Sequence, residues 1–165
     1  MRRWEGMPDL KRVKLIDGIV HMPSPVPGVH RDYHFRLSSW LTGYVLATNG
    51  GKAGIAGIWL MSEDSAPQPD LTLEVDPRVG GQARIEGDYP AGAPELVIEI
   101  SHTTSAKDAG AKLRLYERGG ALEYLTVRPR QQHRHSRACG IRRAAGSFAA
   151  LIFDSLFQPV LREFH

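Results

Sequence analysis

The chain has 165 residues, enough for one domain, and its content of 42% hydrophobic and 24% charged residues is typical of globular proteins. This composition excludes a largely disordered chain, and no stretch approaches the roughly 18 consecutive apolar residues that a membrane-spanning helix needs. No apolar core follows the basic N-terminus and Cys139 is the single cysteine, so we expect a cytoplasmic protein without a secretory signal or an internal disulfide.

The net charge of +3 originates in one segment. Six arginines lie between residues 128 and 143, where there is no Asp or Glu, and without them 15 basic residues stand against 18 acidic ones. A local basic patch suits contacts with nucleic-acid phosphates, so Arg128, Arg130 and Arg134 are candidate nucleic-acid-binding residues. The alternative is a solvated arm without a partner, because charge runs are often only soluble surface.

The N-terminal third predicts a hairpin and a helix. Residues 13–22 carry Asp17-Gly18 between apolar flanks, a strong signal for a two-residue turn between antiparallel strands. A Pro-rich break at 23–28 follows, and then a helix is expected from 29 to 47. Its apolar stripe has residues at spacings of three and four, namely Tyr33, Leu37, Trp40, Leu41 and Tyr44.

His30 and His34 lie four residues apart on this helix, the spacing of the two metal ligands in HExxH. The residues between them are Arg, Asp and Tyr, so the catalytic Glu of that motif is missing. Capping or packing is therefore the expected role of these histidines, and His30 is in addition a candidate phosphate contact.

The middle of the chain predicts two strands separated by loops. We expect a turn at 49–54, a strand at 55–61 and a polar loop at 62–69. Residues 70–76 alternate apolar and polar side chains, which predicts a half-buried strand that opens with Asp70. Residues 77–94 are rich in Gly, Pro and charge and are expected to form a loop.

A strand–helix–strand unit follows. Residues 95–100 form a nearly continuous apolar run, which predicts a central strand buried on both faces, yet Glu99 lies inside it. A buried carboxylate is costly unless it is paired, hydrogen-bonded or bound to metal. A cap at 101–105, a helix at 106–118 and a strand at 122–127 complete a βαβ-like unit. Beyond it we expect an irregular basic stretch at 128–147 and a short apolar segment at 148–161 that docks on the core.

Asp70, Glu99 and Lys112 form the group that carries candidate chemistry. Two carboxylates at adjacent strand ends can hold Mg²⁺ or Mn²⁺, which prefer hard oxygen ligands, and a lysine folded back over the sheet could reach the same place. Such an ion polarises a phosphate and lowers the pKa of bound water, and the lysine can stabilise developing negative charge. The alternative is structural: Asp70 caps a strand, and Glu99 and Lys112 form a buried ion pair.

Other chemistries have little support in the sequence. The glycines near residue 50 lack the Gly-Lys-Ser/Thr ending of a P-loop, and no GxSxG motif is present. One cysteine cannot form a CxxC zinc site, and Cys139 lies in an irregular stretch that does not suit a nucleophile.

The order of these segments resembles the Uma-two family of endonucleases, within the PD-(D/E)xK superfamily of restriction-endonuclease-like proteins. The resemblance covers roughly residues 10–130, and no single motif decides it. Its carrying segments are LIDGIV at 15–20, the SP-containing segment with His30 and its helix, QPD at 68–70, PELVIEIS at 94–101, K-D-x-x-x-K-x-x-x-Y from Lys107 to Tyr116, and LEYLTV at 122–127.

The resemblance implies a divalent metal, Mg²⁺ or Mn²⁺, at Asp70 and Glu99, with the backbone carbonyl of Ile100 as a further ligand. The superfamily usually has its lysine two residues after the Glu, where this chain has Ser101, and in the family it looks as if the lysine has moved to the next helix, at Lys112. Asp108 matches a recurrent acidic position that orients Lys112 or caps the helix, and Tyr116 is expected to pack.

This chain also departs from the family pattern. Lys14 and Ile19 stand where acidic residues are frequent around the LIDG turn, so a second metal is not expected. Leu125 replaces the Trp of EYW, and Arg128 or Pro129 replaces an acidic residue after that strand. Beyond residue 128 the resemblance fades.

We therefore expect an α/β protein with a mixed sheet flanked by helices, one restriction-endonuclease-like domain over 1–165 with its core at about 10–130 and a basic segment at 128–165. The expected activity is hydrolysis of phosphodiester bonds in nucleic acid, with DNA favoured. The alternatives are a nucleic-acid-binding protein without catalysis and a structural or oligomerising protein. Many such proteins pair so that two sites meet two strands, but no interface is evident in this sequence.

Overall fold

The computed structural model describes residues 13–22, 28–48, 51–101 and 106–128, without the side chains of 106–109. Over these ranges the chain forms short strands, two long helices and one 3₁₀ turn. In chain order they are β1 Lys14–Ile16, β2 Ile19–His21, α1 Gly28–Thr48, β3 Gly51–Ile55, β4 Leu71–Val75, the 3₁₀ turn Pro77–Val79, β5 Arg84–Glu86, β6 Tyr89–Ala91, β7 Leu96–Ile100, α2 Ala106–Gly119 and β8 Glu123–Val127.

A four-stranded mixed sheet organises the fold, with the order β3-β4-β7-β8. β4 pairs antiparallel with β3 and β7, whereas β7 and β8 run parallel and are joined through α2. The β7–α2–β8 unit confirms the predicted βαβ arrangement. β7 lies between two neighbours, and its last four residues are buried, which confirms the prediction of a central strand.

The alternation of side chains along β7 divides them between the two helices. Ile98 and Ile100 pack with Leu37 and Leu41 of α1 on one face of the sheet. Val97 packs with α2 on the opposite face, in a cluster that includes Tyr116 and Tyr124. Because successive strand residues alternate between faces, Glu99 lies on the α2 face with Val97. The mixed sheet flanked by two helices confirms the predicted α/β class.

The first two strands form the predicted hairpin. Asp17 has φ 49° and Gly18 has φ 74°, the positive values that a type I′ turn requires at both central positions. Gly18 N–H donates to the Asp64 carbonyl, and Leu15 exchanges backbone hydrogen bonds with Ala66. The hairpin is thereby attached to the loop that precedes β4.

The predictions of a turn at 49–54 and a strand at 55–61 were wrong, since β3 occupies Gly51–Ile55. The glycines that indicated a turn instead permit close strand pairing. A Cβ atom on Gly54 would lie 2.5 Å from Thr72 Oγ1, so only glycine fits opposite Thr72. Residues 56–61 form no regular strand. The backbone N–H of Trp59 donates to the Pro67 carbonyl, which fixes this segment.

The segment 77–94, predicted to be a loop, contains the 3₁₀ turn and the hairpin of β5 and β6. The Gly87-Asp88 dipeptide between these strands is a hairpin signal, and Gly87 has φ 61°. The Arg-rich segment beyond Arg128 and the apolar stretch at 148–161 lie outside the described residues. Within the described ranges, neither helix has the length and apolar character needed to cross a lipid bilayer.

Candidate active site

The pairing of β4 with β7 brings Asp70 and Glu99 together. Leu71 lies opposite Ile98 in the antiparallel ladder, so the next position along the same register places Asp70 beside Glu99. Directly opposed residues of an antiparallel pair have Cβ atoms roughly 5 Å apart. The two carboxylates are therefore neighbours at one end of the sheet, where β4 begins and β7 ends.

Asp70 is held by groups from two elements. Its Oδ2 accepts a hydrogen bond of 2.7 Å from the Ile100 N–H, and its Oδ1 lies 3.4 Å from His30 Nε2. His34 Nε2 lies 3.1 Å from the Asp70 carbonyl oxygen, and since a carbonyl can only accept, this nitrogen carries the hydrogen. The side chain of Asp70 remains 22% exposed, so the carboxylate is oriented and still open to solvent.

Glu99 is more deeply buried, with a side chain only 3% exposed. Lys112 Nζ donates to its Oε2 at 2.7 Å, and the Tyr116 hydroxyl donates to its Oε1 at 2.7 Å. Lys112 and Tyr116 are four residues apart and therefore lie on the same face of α2. Each oxygen of this buried carboxylate thus has its own donor from one helix.

The electrostatics of this cluster keep the lysine charged and the tyrosine protonated. Burial lowers the pKa of Lys112, but the adjacent Glu99 carboxylate more than offsets this, so the pKa lies above its ordinary value, with Asp70 contributing in the same direction. Burial and the negative charge of Glu99 raise the pKa of Tyr116 well above 10. At neutral pH the site therefore holds an ammonium group and a neutral phenol.

Ile100 and Arg128 lie at the same end of the sheet. The Ile100 N–H donates to Asp70 Oδ2, so the backbone of Ile100 lies beside this carboxylate. Val127 is paired in parallel with Ile100, so the exposed Arg128 directly follows this end of β8. Arg128 therefore adds one cationic residue at this end of the sheet.

The donor set fits a hard divalent cation. Mg²⁺ is commonly bound by one or two carboxylates while water and substrate phosphate fill its other positions. Asp70 and Glu99 supply two such carboxylates, and the described residues hold no group of three or more His, Cys, Asp and Glu arranged as a metal cage. The chemistry of these donors suits Mg²⁺ or Mn²⁺ better than zinc, which favours nitrogen and sulfur ligands.

The structure brings most of the sequence-predicted residues to one place. Asp70, Glu99 and Lys112 are neighbours, Ile100 contacts Asp70 through its N–H, and His30 lies against Asp70. Arg128 is at the same sheet end, whereas Arg130, Arg134 and the side chain of Asp108 lie outside the described residues.

Two contacts of the cluster were not predicted from sequence. Tyr116 was expected only to pack, but its hydroxyl bonds to Glu99, and its spacing of four from Lys112 was the available signal. His34 was expected to cap or pack, and it contacts the backbone of Asp70.

The mixed sheet, its two flanking helices and the carboxylate pair at one sheet end define a nuclease-like fold. A family model named Uma2 and described as "Putative restriction endonuclease" matches residues 1–136, and the chain belongs to this family. No curated protein matches the chain.

Among solved structures, the chain is similar to a crystal structure described as a putative nuclease belonging to DUF820 from Anabaena variabilis, with a TM-score of 0.57 and 19% sequence identity. The match covers 71% of this chain and 66% of that one, so this chain corresponds to slightly less than two thirds of that protein. At this identity the likeness concerns the fold.

Proposed function

We propose that this protein is a metal-dependent endonuclease that hydrolyses phosphodiester bonds in DNA at the site formed by Asp70, Glu99 and Lys112. The observation that carries the proposal is that the Asp70 carboxylate, partly open to solvent, accepts from the N–H of Ile100, the residue next to the buried Glu99. A purely structural ion pair between Glu99 and Lys112 does not require a second carboxylate beside it. Membership of a family described as restriction endonucleases supports the same reaction.

Asp70 and Glu99 would hold Mg²⁺ or Mn²⁺, with the Ile100 carbonyl as a further oxygen donor. When bound, such an ion supplies Lewis-acid polarisation of the phosphate and lowers the pKa of attacking water. The chain contributes the placement of the oxygens. The Ile100 N–H and His30 fix the Asp70 carboxylate, and the α2 donors fix that of Glu99.

Lys112 would stabilise the negative charge that develops on the phosphate as water attacks. Its ammonium contacts the buried Glu99 carboxylate, and its side chain as a whole is 35% exposed, so the group lies at the boundary between the core and solvent. The raised pKa keeps its amine charged at neutral pH. A positive charge at a partly desolvated site stabilises a transition state more than it stabilises a less charged ground state.

Nucleic-acid contacts would come from groups around this sheet end. His30 lies against Asp70 with a side chain 14% exposed, and Arg128 is exposed where β8 ends. The same role is proposed for Arg130 and Arg134. The proposed domain spans residues 1–165, and two copies of the protein would pair so that two active sites meet the two strands of the DNA. Such cationic contacts make binding strongly dependent on salt concentration.

Calorimetry with Mn²⁺ tests the metal site before any substrate is chosen. Wild type is compared with Asp70→Asn, and Asp76→Asn is the matched control, because Asp76 is a half-buried acid at the opposite end of β4 whose capping role Asn can retain. We expect wild type and the control to bind the ion and Asp70→Asn to lose most binding. Equal binding by all three, or no binding by folded wild type, contradicts the proposal.

Cleavage of supercoiled plasmid DNA with Mg²⁺, with Mn²⁺ and with EDTA then tests the reaction. Glu99→Gln and Lys112→Met should abolish nicking and Asp76→Asn should retain it. Salt-sensitive DNA binding without cleavage under every metal condition would instead support the non-catalytic binding protein.

A further inference from the structure

The Tyr116 side chain is enclosed within the cluster. The residue is 2% exposed, and its ring stacks on Tyr124 with 5.5 Å between centroids and 27° between planes. Its hydroxyl is aimed at a single atom, Glu99 Oε1, at 2.7 Å. Packing therefore fixes the ring, and the ring fixes where the hydroxyl lies.

The two donors to Glu99 differ in rigidity. Lys112 reaches Oε2 through a flexible four-carbon stem and is 35% exposed, whereas Tyr116 has two side-chain torsions and is enclosed. The terminal torsion of a glutamate is broad, so one mobile ammonium does not define the plane of the carboxylate. Tyr116 is the donor that can define it.

We propose that Tyr116 is a positioning residue for the divalent ion: its hydroxyl anchors Oε1 of Glu99 so that Oε2 faces Lys112 and Asp70. The inference rests on the proposed metal-dependent nuclease function. Hydrogen-bond partners behind a ligating carboxylate orient it, and their removal typically costs 10-fold to 100-fold in metal affinity or activity. Tyr116 has this position relative to Glu99.

The Tyr116→Phe variant removes one hydroxyl and leaves the ring that stacks on Tyr124, so it should retain the fold. Tyr124→Phe is the matched control, because Tyr124 is 4% exposed and stacks on the same ring, while the phenol that donates to Glu99 is that of Tyr116. Near-UV circular dichroism and a thermal melt verify that each variant is folded at the temperature of the binding measurement.

Calorimetric titration with Mn²⁺ in the absence of DNA is the decisive measurement. We expect Tyr116→Phe to bind Mn²⁺ 10-fold to 100-fold more weakly than wild type and Tyr124→Phe to match wild type. In plasmid nicking, Tyr116→Phe should lower kcat at fixed Mn²⁺ with KM for DNA unchanged. Raising the Mn²⁺ concentration should restore part of the lost rate, which a merely structural defect would not allow.

Three other results each overturn a defined part of the reasoning. Wild-type affinity in folded Tyr116→Phe overturns the positioning role and leaves the proposed function standing. An equal loss in Tyr116→Phe and Tyr124→Phe also overturns it, because removing any buried hydroxyl there would then loosen the site. Absence of Mn²⁺ binding by folded wild type overturns the proposed function itself.

Discussion

Replacing Lys112 with methionine separates the two roles that its amine has in the structure. The side chain stays unbranched, becomes one atom shorter and loses its charge, so Glu99 Oε2 loses a donor at 2.7 Å while Tyr116 still donates to Oε1. A carboxylate with a 3% exposed side chain is then left without its counter-charge. We expect Lys112→Met to lower the stability of the metal-free protein.

The magnitude follows from how buried the pair is. Removing one partner of a fully buried ion pair costs about 3–5 kcal/mol, because an uncompensated charge remains inside. Lys112 is 35% exposed, so solvent already screens the pair, and the Tyr116 hydrogen bond remains. We therefore expect a loss of about 2 kcal/mol, which lowers Tm by roughly 4–8 °C in a domain of this size.

Lys112→Met should also bind a divalent metal ion more tightly than wild type. Two unit charges 4 Å apart interact by about 4 kcal/mol at an effective dielectric constant of 20. Solvent screens the partly exposed Lys112, so on the order of 1 kcal/mol of repulsion remains between its ammonium and a cation at Glu99. Removing the ammonium should therefore tighten Mn²⁺ binding about 5-fold. Plasmid cleavage should nevertheless be lost, because the charge that stabilises the phosphate is gone.

Thermal melts with and without Mn²⁺, together with calorimetry, measure both effects. Arg114→Met is the control, because it removes one positive charge from an exposed position on the same helix. The rise in Tm on adding Mn²⁺ should be larger for Lys112→Met than for wild type or Arg114→Met. An equal or smaller rise would refute the idea that Lys112 and the ion share the Glu99 carboxylate.

Three further predictions concern stability. Gly54→Ala should lower the free energy of unfolding by about 1–3 kcal/mol in chemical denaturation, because its Cβ would lie 2.5 Å from Thr72 Oγ1. Gly43→Ala in α1, where a Cβ meets open space, should raise it by up to about 1 kcal/mol. The same change in both variants would contradict the close approach at Gly54. Leu41→Ala should cost about 2–5 kcal/mol, since Leu41 is fully buried between α1 and the sheet. The Arg78 side chain and backbone N–H lower the pKa of Asp76 from 3.8 to about 2. The ionised Asp76 carboxylate therefore stabilises the folded protein above pH 4, and this stabilisation is lost as the pH falls towards 2. The stability difference between wild type and Asp76→Asn should shrink over that range in denaturant titrations, and a constant difference would count against the pairing.

The sequence by itself determined the elements that depend on neighbouring residues. Asp17-Gly18 specified a hairpin because few other dipeptides tolerate two positive φ angles in succession. The apolar run that ends at Ile100 specified a buried strand, and the amphipathic segment after Ser105 specified a helix. The strand after this helix completed a βαβ unit. The sequence predicted the grouping of Asp70 and Glu99 from their positions at adjacent strand ends, and added Lys112 from the helix that follows.

Only the tertiary structure decided the features that depend on residues distant in the chain. β3 was missed because Gly51 and Gly54 have low intrinsic strand preference, and their use became clear only when Thr72 lay opposite Gly54. The side of the sheet that receives Glu99, and the donors that satisfy it, depend on how α2 packs across β7. The sequence predicts only packing for Tyr116, because a tyrosine occupies the same position in the apolar pattern of a helix whether or not its hydroxyl donates a hydrogen bond. Only the folded chain shows that this hydroxyl contacts Glu99.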